Sequence, residues 1–98
     1  MHIKVHEAYR KIVALCDSEL IGRTFSEDNR QIEIKPNFFK GEEKTEKEII
    51  KILTELEKED ATFNIVGEES VRTALKAGII SEEGIMRIQN IPIALGLM

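Results

Sequence analysis

The sequence predicts an α+β domain in which two main helices cover one face of an antiparallel or mixed sheet. In the first part of the chain, apolar and polar side chains alternate with the two-residue period of strands. In the second part, two apolar stripes have the spacing of helical faces. The 98 residues suit one domain, residues 1–98, because a second folding unit would leave neither half enough core. Residues 1–40 form its β-rich part, and residues 41–98 form a helix–strand–helix–strand part.

The first two strands are predicted to form a hairpin. Residues 2–6 alternate apolar and polar side chains, and residues 11–16 form a second, β-rich apolar run. The number of residues in the connecting loop decides which way Cys16 points. A loop with an even residue count places Cys16 opposite Ile3, facing the core, whereas an odd count places it on the face of the two histidines.

Two further strands are predicted before residue 40. A short turn started by Asp17 leads into them. The strands cover residues 23–25 and 31–35 and are joined by a polar turn. Pro36 ends the second strand, because proline cannot donate a hydrogen bond to a ladder.

The first helix is predicted from its capping signal and its apolar stripe. Thr45 is a good N-cap, and Glu48, three residues later, completes a capping box. The residues that form the apolar stripe are Ile49, Ile52, Leu53 and Leu56. Their spacing is that of one helical face, which predicts an amphipathic helix.

A buried strand over residues 62–66 and a second helix opened by Gly67 are predicted next. Glu68 and Glu69 lie in the first turn of that helix, where the helix macrodipole favours negative charge. Gly78 has the position of a residue that ends a helix. Two last strands are expected at residues 85–88 and 91–95.

Charge and cysteine content narrow the class of protein. Fourteen basic and eighteen acidic residues give a net charge of −4, which argues against a protein that binds duplex DNA non-specifically. Residues 1–40 carry seven basic and six acidic side chains, so any RNA-binding surface is expected there. Cys16 is the single cysteine, so no intrachain disulfide or cysteine-based zinc cluster can form. With no apolar run of membrane or signal-peptide length, the chain is expected to be cytoplasmic.

The first candidate site is the turn that holds Cys16, Asp17 and Glu19. A thiol beside two carboxylates could serve a small-molecule enzyme. A catalytic cysteine, however, needs a positive field, and these neighbouring charges oppose ionisation of the thiol. We therefore expect Cys16 to be buried and inert, and we expect no catalytic residue here.

The second candidate site is the run Phe38, Phe39 and Lys40. Two aromatic rings followed by a cation could stack a nucleobase and reach a phosphate. The structural alternative is that one ring fills the core and the other covers the first long helix. We favour the structural alternative, because four Phe are most of the aromatic volume in this chain.

The third candidate site joins Asn64 and Gly67, where a strand leads through glycine into a helix. This order resembles a phosphate site, but the complete glycine-rich fingerprints are absent. Glu68 and Glu69 would also repel phosphate at the helix start. A structural junction is the preferred interpretation.

The two histidines are not expected to bind a metal. On one strand, His2 and His6 lie about 13 Å apart at ~3.3 Å per residue, too far for one ion to bridge. We expect them on a solvent-facing side of the strand, and we predict no metal and no cofactor.

Four short segments, taken in order, match the pattern of a known family. They are Ala14-Leu-Cys16-Asp17-x-Glu19-Leu20-Ile21-Gly22-Arg23-x-Phe25, Phe38-Phe39-x-Gly41, Asn64-Ile65-Val66-Gly67-Glu68 and Ile91-Pro92-x-Ala94. In this order they resemble the archaeal family catalogued as domain of unknown function 424. The resemblance covers almost the whole chain. It implies a small archaeal cytoplasmic protein and transfers no catalytic role.

The last segment departs from the family pattern, which often reads valine-proline-histidine-alanine-glutamine. Ile93 stands at the histidine position and Leu95 at the glutamine position. The departure argues against acid–base chemistry that depends on this segment.

Three functions follow from these observations. We favour a non-catalytic module that binds a protein partner or a second copy of itself, because the uncharged end of the chain, residues 91–98, predicts a flat apolar strand with an unpaired edge. The alternative is an RNA- or ribonucleoprotein-binding module that uses residues 1–40. The third is a small-molecule enzyme that uses Cys16, Asp17 and Glu19.

Overall fold

The structure, a computed structural model, describes residues 1–95. Its strands are β1 (His2–His6), β2 (Ile12–Cys16), β3 (Thr24–Glu27), β4 (Arg30–Glu33), β5 (Glu42–Glu43), β6 (Thr62–Val66), β7 (Met86–Ile88) and β8 (Ile91–Leu95). Its helices are α1 (Pro36–Phe39), α2 (Glu46–Glu57) and α3 (Glu68–Ala77), and single 3₁₀ turns cover Ser18–Leu20 and Glu82–Gly84.

Six strands form one mixed sheet in the order β5-β1-β2-β6-β8-β7. The central pair, β2 and β6, is parallel, and the other neighbours are antiparallel. Strands β3 and β4 form a separate hairpin. The prediction of an α+β fold with an antiparallel or mixed sheet is confirmed.

The two long helices pack on one face of the sheet, as predicted. In α2, the Thr45 side chain accepts a hydrogen bond from the Glu48 N–H, and Glu48 reaches back to the Thr45 N–H, which completes the capping box. Ile49 and Leu53 of α2 are fully buried in this core. The other buried members of this first core are Met1, Ile3, Val13, Leu15, Leu56, Phe63, Ile65, Val71, Ala74 and Ala94.

The opposite face of the sheet is also covered, which the sequence did not predict. The β3–β4 hairpin, α1 and the Ser18–Leu20 turn pack there around a second core. Its buried members are Ala14, Cys16, Leu20, Phe25, Ile34, Phe39, Val66, Ile88 and Ile93. Helix α1 was missed because Pro36 was assigned only the role of ending a strand, yet proline fits the first turn of a helix equally well.

The loop of the β1–β2 hairpin has an odd number of residues, the second of the two alternatives considered for Cys16. Five residues separate His6 from Ile12, and His2 pairs with Cys16. Cys16 therefore lies on the histidine face, and it is buried because α1 and the β3–β4 hairpin cover that face.

The expected solvent-facing histidine side is only partly exposed, because the segment around α1 covers some of it, and His2, Lys4 and His6 are each half-buried. Polar side chains of β1 hydrogen-bond to backbone carbonyls of the segment that includes α1 and β5. His6 Nε2–H donates to Phe38 (2.8 Å), Lys4 Nζ to Asn37 (2.9 Å) and the ring of His2 to Gly41 (3.1 Å).

Strand β8 lies between β6 and β7. The predicted unpaired edge is therefore wrong for residues 91–95, and residues 96–98 lie outside the described residues. The turn between β7 and β8 consists of Gln89 and Asn90, both with positive φ (50° and 66°). A two-residue turn of this kind matches the twist of antiparallel strands. In the part of the chain described here, no helix combines the length and apolar character needed to cross a membrane.

Candidate functional site

Asp17 connects two parts of the chain that are far apart in sequence. It follows β2, and its carboxylate accepts hydrogen bonds from Ser70 N–H (2.8 Å), Ser70 Oγ–H (2.7 Å) and Glu69 N–H (3.1 Å). The carboxylate thus occupies the place at the N-terminus of α3 where backbone N–H groups point outward and the macrodipole favours an anion. Asp17 also precedes the Ser18–Leu20 turn, but its side chain makes no capping bond there.

Gly67 makes room for this carboxylate. Its φ is +114°, and a Cβ atom built on it would lie 2.3 Å from Cγ of Asp17. Neither the backbone conformation nor the space would accept a side chain. We call Asp17, Gly67 and Ser70 together the α3 junction. All three residues are buried, with Asp17 4% exposed.

Cys16 lies beside this junction in the second core. Its side chain has no exposed surface, and its Sγ–H donates to the carbonyl of Asp17 (3.1 Å). Burial raises the pKa of the Cys16 thiol to about 12, and the negative charges of Asp17 and Glu19 act in the same direction. Glu19 itself is exposed, so Cys16, Asp17 and Glu19 do not face one common cavity.

A cleft lies on the second face of the sheet. Its volume is about 350 Å³, and it is open on one side. It is lined by Ile32, Glu33, Lys35, Asn37, Phe38, Phe39, Asn64 and Leu95, and we call it the Phe38 cleft. Asn64 and Leu95 are paired across β6 and β8, so their side chains share this face.

The aromatic wall of the cleft is held from behind by β1. The His6 ring stacks on Phe38 with centroids 4.6 Å apart and an interplanar angle of 13°. The Phe38 ring in turn meets Phe39 edge to face at 5.0 Å. Together with the hydrogen bonds from Lys4 and His6 to the backbone of α1, these contacts order the wall before any ligand arrives.

The two rings occupy different positions. Phe39 is 5% exposed and belongs to the second core, as the structural alternative predicted for one ring. Phe38 is partly buried and lies against His6 of β1. The expectation that the second ring covers the first long helix is therefore wrong, since α2 lies on the other face.

The structure divides the sequence-derived candidates into two groups. Phe38, Phe39 and Asn64 line the cleft. Cys16, Asp17 and Gly67 lie at or beside the α3 junction. The exposed residues Glu19 and Lys40 are outside the lining of the cleft.

Sequence reasoning missed several lining residues of the cleft. Asn37 was missed because α1 was not predicted, although the Pro36-Asn37 pair is a usable helix-start signal. Leu95 was placed in the apolar end strand and noted as a departure from the family pattern, but it was not linked to Phe38 or Asn64. It is 44% exposed, whereas Ile93, the other departure, is 1% exposed in the second core. Strand alternation explains why Leu95 shares the face of Ile93, but its exposure depends on where the second layer ends.

Within residues 1–95, no group of three or more His, Cys, Asp or Glu side chains is arranged to hold a metal ion.

Comparison with known proteins gives a structural relative and a family. The fold is similar to the crystal structure of an uncharacterized conserved protein from Methanopyrus kandleri, with a TM-score of 0.82 and 21% identity over 99% of this chain and 93% of that chain. This likeness concerns the fold. No curated protein matches the chain. The family model described as "Protein of unknown function (DUF424)" matches residues 6–96. The chain therefore belongs to the DUF424 family, a group of uncharacterised domains of unknown function.

Proposed function

We propose that this protein is a non-catalytic interaction module and that it binds a partner protein in the Phe38 cleft. The observation that carries the proposal is the union of an exposed aliphatic residue, Leu95, with the half-buried Phe38 ring on a wall anchored by β1. Pockets of this kind accept the few apolar side chains that dominate many protein interfaces.

The shape of the cleft supports a side chain of a partner over an enclosed metabolite. Its volume of about 350 Å³ is at the lower end of the range of about 300–1,000 Å³ for small-molecule sites, and its open side leaves a small ligand in contact with water. A side chain that projects from another protein needs no such enclosure, because the rest of that protein closes the open side.

The chemistry of Cys16 counts against the enzyme alternative. A thiol with a pKa raised to about 12 and no exposed surface supplies no thiolate to a substrate. Asp17, the nearest carboxylate in sequence, already accepts three hydrogen bonds from Glu69 and Ser70.

The aromatic contacts count against the RNA alternative. Nucleobases bind by stacking on free ring faces. His6 already covers one face of Phe38, and Phe39 is almost fully buried, so the motif leaves one ring face for a base and not two rings. The cation of that motif, Lys40, is outside the lining of the cleft.

The proposed setting is the cytoplasm of an archaeal cell. Its support is the sequence resemblance and the single free, buried cysteine, which fits a reducing compartment.

Site-specific crosslinking tests the proposal. Leu95 is replaced by p-benzoylphenylalanine, and the matched control carries the same group at Lys51, an exposed position on α2 on the opposite face. After irradiation in an extract of the source organism, we expect an adduct with a specific protein from position 95 and none from position 51.

Competition separates specific binding from chance capture. Excess wild-type protein should abolish the adduct, whereas excess Leu95→Asp protein, checked for folding by circular dichroism, should not. Equal adducts from both positions, no adduct, or insensitivity to wild-type competitor would overturn the proposal. An adduct with twice the mass of this chain would replace the partner protein by a second copy.

A further inference from the structure

We infer that the Phe38 cleft recognises an acidic peptide segment that inserts one aliphatic side chain. This inference rests on the proposed function and names the chemistry of its partner. It is carried by the apolar floor, the lysines around α1 and two amide side chains with no partner among the described residues.

The floor of the cleft requires an apolar anchor. Ile32 and Leu95 form this floor, and the partly buried Phe38 forms the wall of the cleft. Leu95, 44% exposed, loses contact with water only when something covers it. Burial of apolar surface is favourable in proportion to the area removed from water, so an aliphatic side chain fits this position better than a polar one.

The charges around α1 favour an acidic partner. Lys35 lines the cleft and immediately precedes α1, and Lys40 immediately follows it. Lys4 Nζ lies 2.9 Å from the carbonyl of Asn37, another lining residue. The lining thus holds one cation, Lys35, and one carboxylate, Glu33, and Lys4 and Lys40 add two cations beside α1, outside the lining.

These cations contrast with most of the other basic residues of the protein. Within residues 1–95, six ion pairs use Arg10, Lys11, Arg30, Lys44, Lys76 and Arg87. None of these pairs includes Lys4, Lys35 or Lys40. On a chain with a net charge of −4, the surface around α1 thus carries three lysines that no ion pair within residues 1–95 neutralises. Such a surface attracts acidic segments and repels basic ones.

Two amides can bind the main chain of an inserted segment. Asn37 and Asn64 line the cleft, and each side-chain amide offers donors and an acceptor. In the part of the chain that the structure describes, neither side chain hydrogen-bonds to another protein group, whereas the Asp17 carboxylate accepts three hydrogen bonds. A peptide backbone supplies the matching N–H and C=O groups, which makes a peptide the better fit than a purely apolar ligand.

Titration with three short peptides, followed by ¹H–¹⁵N correlation spectra, tests the inference. The probes are acetyl-Glu-Asp-Leu-Glu-Asp-amide, the same peptide with alanine in place of leucine, and the same peptide with lysine in place of every acid. We expect saturable shifts at Phe38, Asn64 and Leu95 with the first probe. Binding of the alanine and lysine probes should be weaker by about tenfold or more, because the first loses apolar burial and the second reverses the charge.

Charge variants sharpen the test. Lys35→Glu should lower the affinity for the acidic probe by about three- to tenfold and raise the affinity for the lysine probe. Added salt should reduce both effects, because it screens the charges. Lys51→Glu makes the same change of charge on α2, away from the cleft, and should leave both affinities unchanged.

Several outcomes would overturn the inference. They are shifts of equal size with all three peptides, an equal effect of Lys35→Glu and Lys51→Glu, and shifts at the cleft with a hexauridylate RNA but with no peptide. If a specific adduct forms at position 95 but the peptides bind equally well whatever their charge, the acidic segment is rejected and the proposed function remains intact. Selective binding of the acidic probe without any adduct would instead count against a partner protein.

Discussion

The α3 junction and the Phe38 cleft use polar side chains in opposite ways. At the junction, the carboxylate of Asp17 accepts three hydrogen bonds and is 4% exposed, and Gly67 leaves no free space beside it. At the cleft, the amide of Asn64 faces an open, largely apolar depression with no hydrogen bond from another group in residues 1–95.

This contrast separates residues that stabilise the fold from residues that are free to bind. A buried carboxylate at a helix N-terminus lowers the free energy of the folded chain, because it satisfies N–H groups that would otherwise lack partners. A polar group in an open cleft contributes little to folding, since water satisfies it equally well in the folded and unfolded states. Changes at the junction should therefore alter stability, and changes at the cleft should alter binding.

The largest effect is expected from Gly67→Ala. The new Cβ would lie 2.3 Å from Cγ of Asp17, and the backbone has a φ of +114° that side chains rarely adopt. The free energy of unfolding, measured by urea denaturation, should fall by about 3 kcal/mol or more through backbone strain and displacement of the carboxylate.

Gly78→Ala is the matched control for this substitution. Gly78 also has a positive φ, +76°, but a Cβ there would meet no atom within 4 Å. Only the backbone strain remains, about 1–2 kcal/mol. Equal losses in the two variants would mean that the space beside Asp17 is not what requires glycine at position 67.

The second-largest loss of folding stability is expected from Asp17→Ala. The substitution leaves the Glu69 N–H, the Ser70 N–H and the Ser70 hydroxyl without the partner they have in the wild type. Stability should fall by about 2–4 kcal/mol, the sum of a lost cap and buried groups without partners. Asp17→Asn keeps one oxygen acceptor for Ser70 but loses the charge and the acceptor for the Glu69 N–H, so its loss should be smaller than that of Asp17→Ala, about 1–2 kcal/mol. If the asparagine and alanine variants are equally unstable, the oxygen acceptor is not what matters.

The contrast between predicted and unpredicted parts follows from sequence distance. Helix α2 was predicted from Thr45 and Glu48 because a capping box is complete within four residues. Asp17, by contrast, caps a helix that begins at Glu68. No local pattern connects the two, so the sequence indicated a tight turn at Asp17 and a junction at Gly67 without indicating that they meet.

The second layer was unpredictable for a related reason. Strand alternation shows which residues share a face but not what covers that face. His2, Lys4 and His6 alternate as an exposed side would, and only the position of α1 places backbone carbonyls within their reach. For the same reason, Phe38 and Asn64 could be named as candidates, whereas their meeting with Leu95 depends on the β6–β8 pairing.

The third prediction compares thiol reactivity in the two regions. In the native wild-type protein, Cys16 should react with a disulfide reagent at least about 100-fold more slowly than in the urea-unfolded chain, because it reacts only when the structure opens. With its pKa raised to about 12, the native thiol should gain almost no thiolate between pH 7 and 9.

The matched variant is Leu95→Cys in a Cys16→Ala background. Its thiol lies at the exposed cleft and should react at the rate of a free cysteine, rising steeply from pH 7 to 9 around an ordinary pKa of about 8.5. Rapid native labelling of Cys16 would contradict its assignment to the core and would return the enzyme alternative to consideration.

The smallest effect on folding stability is expected from Asn64→Ala and Leu95→Ala. Neither side chain is fully buried, and Leu95 is 44% exposed, so each substitution should change the free energy of unfolding by no more than about 0.5 kcal/mol. Urea denaturation of both variants beside Asp17→Ala measures the contrast directly. A loss above about 1 kcal/mol for Asn64→Ala would show that its amide stabilises the fold as Asp17 does. Binding defects at Asn64 would then be secondary to folding, and the cleft would lose one of the two amides that have no hydrogen-bond partner within residues 1–95.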